Sequence, residues 1–205
     1  MATTTVRFRE GAGRLCLDFI RTLRHRGTPA AAEELPDGSA LAAWVRQCGP
    51  CGLDVASDSA PTAQAAQARE LREAVHALIT ATVRTGDPAS CGDAVRRHVN
   101  RAAATPVPVP VLDASGRILW RADDPVTATL ALIARDALDL VTSTAVTRVR
   151  ECADQNCGAL FLDGSRPGTR RWCSMGTCGN RAKKTTLRAR RRESDAAPAS
   201  AVPKV

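Results

Sequence analysis

Aromatic residues are scarce in this 205-residue chain, which has three Trp, three Phe and no Tyr. A core without them closes through small and branched aliphatic side chains. Alanine supplies much of the 44% hydrophobic fraction, so the expectation is helices packed at short range. No run of about eighteen apolar residues is present, so no membrane-spanning helix is expected. Met1–Glu10 has no apolar segment with a cleavage pattern, so no secretory signal is expected either. The expected location is the cytoplasm, where thiols stay reduced, and the cysteines then read as metal ligands or core residues rather than disulfides. The histidines His25, His76 and His98 are scattered. No Ser/His/Asp set, phosphate loop or carboxylate cluster stands out, and the chain is not expected to be an enzyme.

Against these absences stand four cysteines, Cys152, Cys157, Cys173 and Cys178, with four residues inside each pair and fifteen between the pairs. Thiolates so spaced can close on one tetrahedral metal, and Zn²⁺ is the usual occupant of an all-sulfur structural site. The charge is concentrated in the same place. Residues 1–147 carry 16 Lys+Arg and 16 Asp+Glu, whereas residues 148–192 carry 12 Lys+Arg against 3 Asp+Glu. The cysteine-rich segment therefore carries +9 and residues 193–205 carry −1, together the net +8, which argues for a polyanionic partner at that segment and a different task elsewhere.

Periodicity and punctuation divide the rest. Leu15–Leu23 reads as a short buried helix. Pro36-Asp37-Gly38-Ser39 leads into a helix with Leu41, Trp44 and Val45, ended by Gly49, Pro50 and Gly52. Residues 62–84 form the clearest helix, with Leu71, Val75, Leu78 and Ile79 on one stripe. Asp87-Pro88 signals the cap and first turn of another helix through about Arg101, and Asp124-Pro125 does so for one running to about Thr144. Between them Val107, Val109 and Val111, the turn Asp113–Gly116 and Ile118-Leu119-Trp120 read as a β-hairpin whose prolines confine its first strand to an edge. The expected fold is α+β. It comprises a mostly helical N-terminal domain over residues 1–147 with a β-hairpin, then a small C-terminal zinc-binding module with four cysteine ligands over 148–192. That module is expected to be a β-hairpin and helix, treble-clef-like, followed by a disordered tail over 193–205.

In the module, Ala159–Leu162 reads as a strand, Asp163–Gly168 as a turn and Arg170-Arg171-Trp172 as the return strand into Cys173. A helix is expected from about Ser174. Its N-terminal N–H groups, with Arg170, Arg171 and Arg181, favour thiolate over thiol. Further along, Arg181, Lys184, Arg188 and Arg191 recur at one helical face, where arginines can contact phosphates and read guanine edges. The candidate nucleic-acid contacts are Arg166, Arg170, Arg171, Arg181, Lys183, Lys184, Arg188, Arg190, Arg191 and Arg192, with Arg166, Arg170 and Arg171 as backbone clamps. Cys48-Gly49-Pro50-Cys51 spells a thioredoxin-like redox loop, but Gln47 precedes it and Gly52 follows where that chemistry needs other neighbours, so no redox role is expected. Cys16 and Cys91 read as small core residues.

The run Cys173-Ser174-Met175 with Cys178-Gly179-Asn180-Arg181-Ala182-Lys183, preceded by Cys157-Gly158, Leu160–Asp163 and Arg171-Trp172, resembles the CGNR zinc finger over residues 148–192. Leu15–Thr22, the Leu41…Trp44 helix and Leu71–Ala74 are similar to the ABATE domain, with Arg21 where that family more often has Asn. The resemblance implies a bacterial transcription regulator that binds double-stranded DNA through a zinc-dependent module. Residues 1–147 then sense a small molecule or pair two copies into a homodimer, since one module offers few contacts. A cationic helix serves RNA equally, so an RNA-binding or ribosome-associated zinc protein is the alternative.

Overall fold

In the computed structural model, residues 7–55 and 60–196 are described, with side chains described through Arg191. Helix α1 (Leu15–Ile20) buries Cys16, Leu17, Phe19 and Ile20. It is too short to hold itself; a distant carboxylate satisfies its start, and its own Asp18 folds the preceding segment onto it. Asp136 accepts the Cys16 N–H at 2.8 Å, while Asp18 accepts the N–H of Ala12 at 2.8 Å and of Gly11 at 3.2 Å. Helix α2 (Gly38–Cys48) is capped by the Asp37 side chain on Ala40 N. Helix α3 (Thr62–Thr85) ends at Gly86, whose φ of 76° supplies the left-handed cap.

The expected helix at Asp87-Pro88 is split. Asp87 caps a 3₁₀ turn, Pro88–Cys91, and α4 (Asp93–Ala103) starts only after Gly92, whose φ of 84° breaks the run. Helix α5 (Pro125–Thr142) begins as expected, with Asp124 accepting from Val126 N and Thr127 N and Pro125 at the first helical position. Helices α3 and α5 pack on each other, and α1, α2 and α4 pack around them. Among the aromatics, Trp44 and Phe19 meet edge-on with centroids 5.2 Å apart.

Three two-stranded antiparallel sheets complete the described residues. The pair β1 (Leu23–Arg24) with β2 (Ala32–Glu33) was not expected; two-residue strands carry no alternation to read. It presents Glu33 to Arg72 of α3, a residue only 3% exposed, through two bonds of 2.6 Å. The expected hairpin is β3 (Val109–Leu112) with β4 (Ile118–Arg121), Pro110 opposite Trp120.

The third pair differs from expectation. Strand β6 (Leu160–Leu162) pairs with β5 (Val149–Glu151), not with Arg170–Trp172. The Asp163 carboxylate accepts the Arg170 N–H at 2.9 Å, which turns that segment away, and the Arg171 carbonyl reaches across to Ala153 N at 2.8 Å. After Cys173 a π-turn (Met175–Gly179) leads into α6 (Asn180–Ala196), which runs past residue 192 into the stretch expected to be tail; residues 197–205 lie outside the described residues.

One apolar core serves the whole arrangement. Val149, Leu160, Phe161 and all four module cysteines belong to the same buried cluster as Phe8, Leu17, Ile20 and Val75. Leu162 N donates to Ala12 O at 2.7 Å, and the β1–β2 loop lies on the first cysteine turn, with the His25 imidazole against the Asn156 carbonyl.

Candidate metal centre and nucleic-acid interface

Each cysteine pair is held by a turn that the chain builds separately. In the first, Asp154 accepts the Asn156 N–H, the Asp154 carbonyl accepts Cys157 N at 2.8 Å, and Cys152 N donates to Ala159 O at 2.9 Å. Gly158 follows with φ of 60°, and a Cβ there would stand 2.7 Å from the Arg26 carbonyl oxygen, so no other residue fits without displacing that loop. In the second, Gly179 N donates to Ser174 O at 3.0 Å, closing the π-turn, and Asn180 Nδ2 donates to Gly176 O at 3.1 Å. A Cβ on Gly179 would meet the Met175 sulfur at 2.9 Å and lie 3.7 Å from the Trp172 ring.

The two turns bring the four sulfurs within 4.8 Å of one another, all buried. Cys157 to Cys173 is 3.6 Å and Cys173 to Cys178 is 3.8 Å. A tetrahedron with metal–sulfur bonds of about 2.3 Å has edges of about 3.8 Å, so the spacing fits one Zn²⁺. The electrostatics fit as well. The Cys173 hydrogen bond pulls the Cys157 thiol down to about 5. That same bond, then burial, pushes Cys173 far up, and burial with the Cys157 charge pushes Cys178 up to about 12. Four sulfurs competing for negative charge are reconciled by a dication, which couples metal binding to thiol deprotonation and to folding. One structural Zn²⁺ is the group this site takes, and its ligands would be Cys152, Cys157, Cys173 and Cys178.

The cations divide into two groups. Arg181 is tied to Asp154 at 3.1 Å and so bridges the two cysteine turns. Arg170 is turned onto the module: its guanidinium lies 4.6 Å over the Phe161 ring, Nε donates to Trp172 O at 2.9 Å, and Nη2 donates to Cys173 O. Both bonds place it in the scaffold of the metal site. Arg166, Arg171, Lys183, Lys184, Arg188, Arg190 and Arg191 are not tied up in this way and have no carboxylate partner among the described residues. The Arg192 side chain lies outside the described residues.

Two residues that sequence reasoning passed over organise the site. Asp154 orients the first turn and holds Arg181. Asp163 is buried and accepts from Ser165 Oγ at 2.6 Å, Ser165 N at 2.9 Å and Arg170 N, bonds that keep its carboxyl below the usual range. The Asp-x-x and Asp-x-Ser spacings were the available signal, since short acidic side chains bond their own backbone two residues on. The Cys48 thiol, by contrast, ends α2 and donates to Glu10; burial and the Glu10 charge push it up to about 12, the reverse of what a redox nucleophile needs. Cys16 is fully buried, and Cys91 is half-buried at the 3₁₀ turn.

Fold and site together define a helical α+β protein with a four-cysteine zinc finger built into the same core. Residues 13–144 match the model of the ABATE family, whose description reads "putative stress-induced transcription regulator", and residues 148–191 match the CGNR zinc finger. The chain belongs to the ABATE family and carries a CGNR zinc finger. A search of curated proteins finds no match.

Proposed function

We propose that this protein is a cytoplasmic transcription regulator that binds double-stranded DNA through its zinc finger and the cationic helix α6. In this reading Zn²⁺ is structural and the chain performs no catalysis. Residues 1–147 sense a small molecule or pair two copies, which would set two zinc fingers on two half-sites. The observation that carries the reading is the row of cations Lys183, Lys184, Arg188, Arg190 and Arg191, without carboxylate partners among the described residues and directly continuous with the second cysteine turn. Unpaired cations at this density repel one another and are relieved by a polyanion, whose bound counterions they release. Among the described residues no helix is long and apolar enough to cross a membrane, and nucleic acid is the polyanion that a helix of this charge suits.

The test is Cys173→Ser. It is expected to lose stoichiometric zinc, measured by elemental analysis of purified protein, and to lose duplex DNA binding in the same preparation. A variant that has lost zinc yet binds DNA like the wild type contradicts the mechanism. Tighter binding to structured RNA than to duplex DNA would replace DNA with RNA as the partner.

A further inference from the structure

Helix α6 has two cationic edges rather than one. Arg181, Lys184, Arg188 and Arg191 share one edge, and Lys183, Leu187 and Arg190 share another, about 120° around the helix at 3.6 residues per turn. The second edge is solvent-exposed but not isolated. It forms one wall of a groove of about 580 Å³, whose other wall is Ala153, Arg171 and Trp172. Ala153 and Ala182 contribute small side chains to the lining, and Leu187 and Trp172 contribute apolar surface.

Three cations, Arg171, Lys183 and Arg190, converge on this groove, and no acidic residue lines it. Arg171 is held ready. Its guanidinium stacks over the Trp172 ring at 5.1 Å, which fixes its position while leaving its N–H groups without a protein acceptor among the described residues. Arg170 and Arg181 beside it are bonded to protein groups. The outer edge has lost one of its four cations to Asp154 in this way, while all three groove cations remain unpaired among the described residues.

We propose that the groove seats the sugar–phosphate backbone of one DNA strand. Phosphate oxygens lie between Arg171 and the Lys183/Arg190 edge, and the deoxyribose rests on Leu187 and Trp172. This rests on the DNA-binding reading above and refines it: the groove grips backbone and positions the helix, and the edge carrying Lys184, Arg188 and Arg191 is left to face the bases. Arg171 is therefore a phosphate contact oriented by Trp172.

The experiment uses the full-length zinc-loaded protein with Arg171→Ala, Arg190→Ala and Arg188→Ala, and measures affinity for a random-sequence duplex across a salt series. All three side chains are exposed and free of internal hydrogen bonds among the described residues, so zinc content and far-UV circular dichroism should stay at wild-type values. Arg171→Ala and Arg190→Ala are each expected to weaken binding severalfold irrespective of sequence. Each should also reduce the slope of log affinity against log salt by about 1. Unchanged slopes in these two variants, with a reduced slope in Arg188→Ala, would overturn the groove assignment while leaving DNA binding standing. A wild-type protein that does not bind duplex DNA removes the underlying reading and the groove with it.

Discussion

Phe161→Ala tests how the zinc finger is joined to the rest of the molecule. Phe161 is fully buried on β6, in the cluster that also contains Leu17, Ile20 and Val75. Truncating a buried phenylalanine costs about 3–5 kcal/mol through lost transfer energy and the cavity left behind. The Arg170 guanidinium, 4.6 Å from the ring, loses its aromatic partner, adding about 0.5–1 kcal/mol. A total near 5 kcal/mol corresponds to a fall in melting temperature of about 10–20 °C for a chain of this size. The assay is urea unfolding of zinc-loaded protein, followed by circular dichroism and by zinc capture with a chromogenic chelator. Because the core is continuous, helix loss and zinc release are expected to share one midpoint, and both midpoints should move together in the variant. A loss below about 1 kcal/mol, or zinc release at lower urea with the helices intact, would refute the reasoning.

Glu33→Gln should destabilise the protein by about 2–3 kcal/mol in the same assay, toward the low end for a buried ion pair because the Glu33 side chain is 30% exposed. Burial pushes the Glu33 carboxyl up, but bonds from Arg72 and Leu35 N outweigh it and hold it below the ordinary range. Its contribution is therefore present at neutral pH and lost as the pH falls through that lowered value, and the variant should lack this part of the acid loss. His76 behaves differently: burial, then the Arg26 charge, pulls its imidazole down to about 4 from 6.5, against a smaller opposing effect of Glu73. The unfolded chain thus binds the extra proton between about 6.5 and about 4, and wild-type stability should decline as pH falls across that window. Titration of His76 by NMR should give the lowered value, and His76→Gln should flatten the decline; an ordinary imidazole titration would contradict it.

The cysteine spacing and the Asp-Pro caps were legible because each is a local rule. A side chain or a ring acts on its own backbone: Asp124-Pro125 starts α5 as read, although Gly92 splits the helix read from Asp87-Pro88, while α2, α3 and the β3–β4 hairpin stand where periodicity and turn residues put them and α1 ends at Ile20, before Leu23 enters β1. Long-range pairing was not legible. Only Val149 of β5 is buried, so that strand has no alternation to recognise, and the Asp163 carboxylate that turns Arg170 away acts across seven residues. The zinc ligands came together as expected. Cationic count, however, does not reveal which cations the protein itself uses. Arg170 and Arg181 stand among equivalent letters in the sequence, and only the Phe161 ring, two carbonyls and Asp154 mark them as scaffold. The groove edge of α6 was hidden for the same reason, since Arg171 and Trp172 reach it from another segment.

DNA recognition is tested most directly by binding of the purified, zinc-loaded protein to the DNA upstream of its own coding sequence and to random duplex of equal length, at near-physiological salt. A sequence-specific regulator is expected to prefer the upstream DNA by about a thousandfold or more. Equal and strongly salt-dependent binding to both would contradict that claim and leave a general polyanion binder.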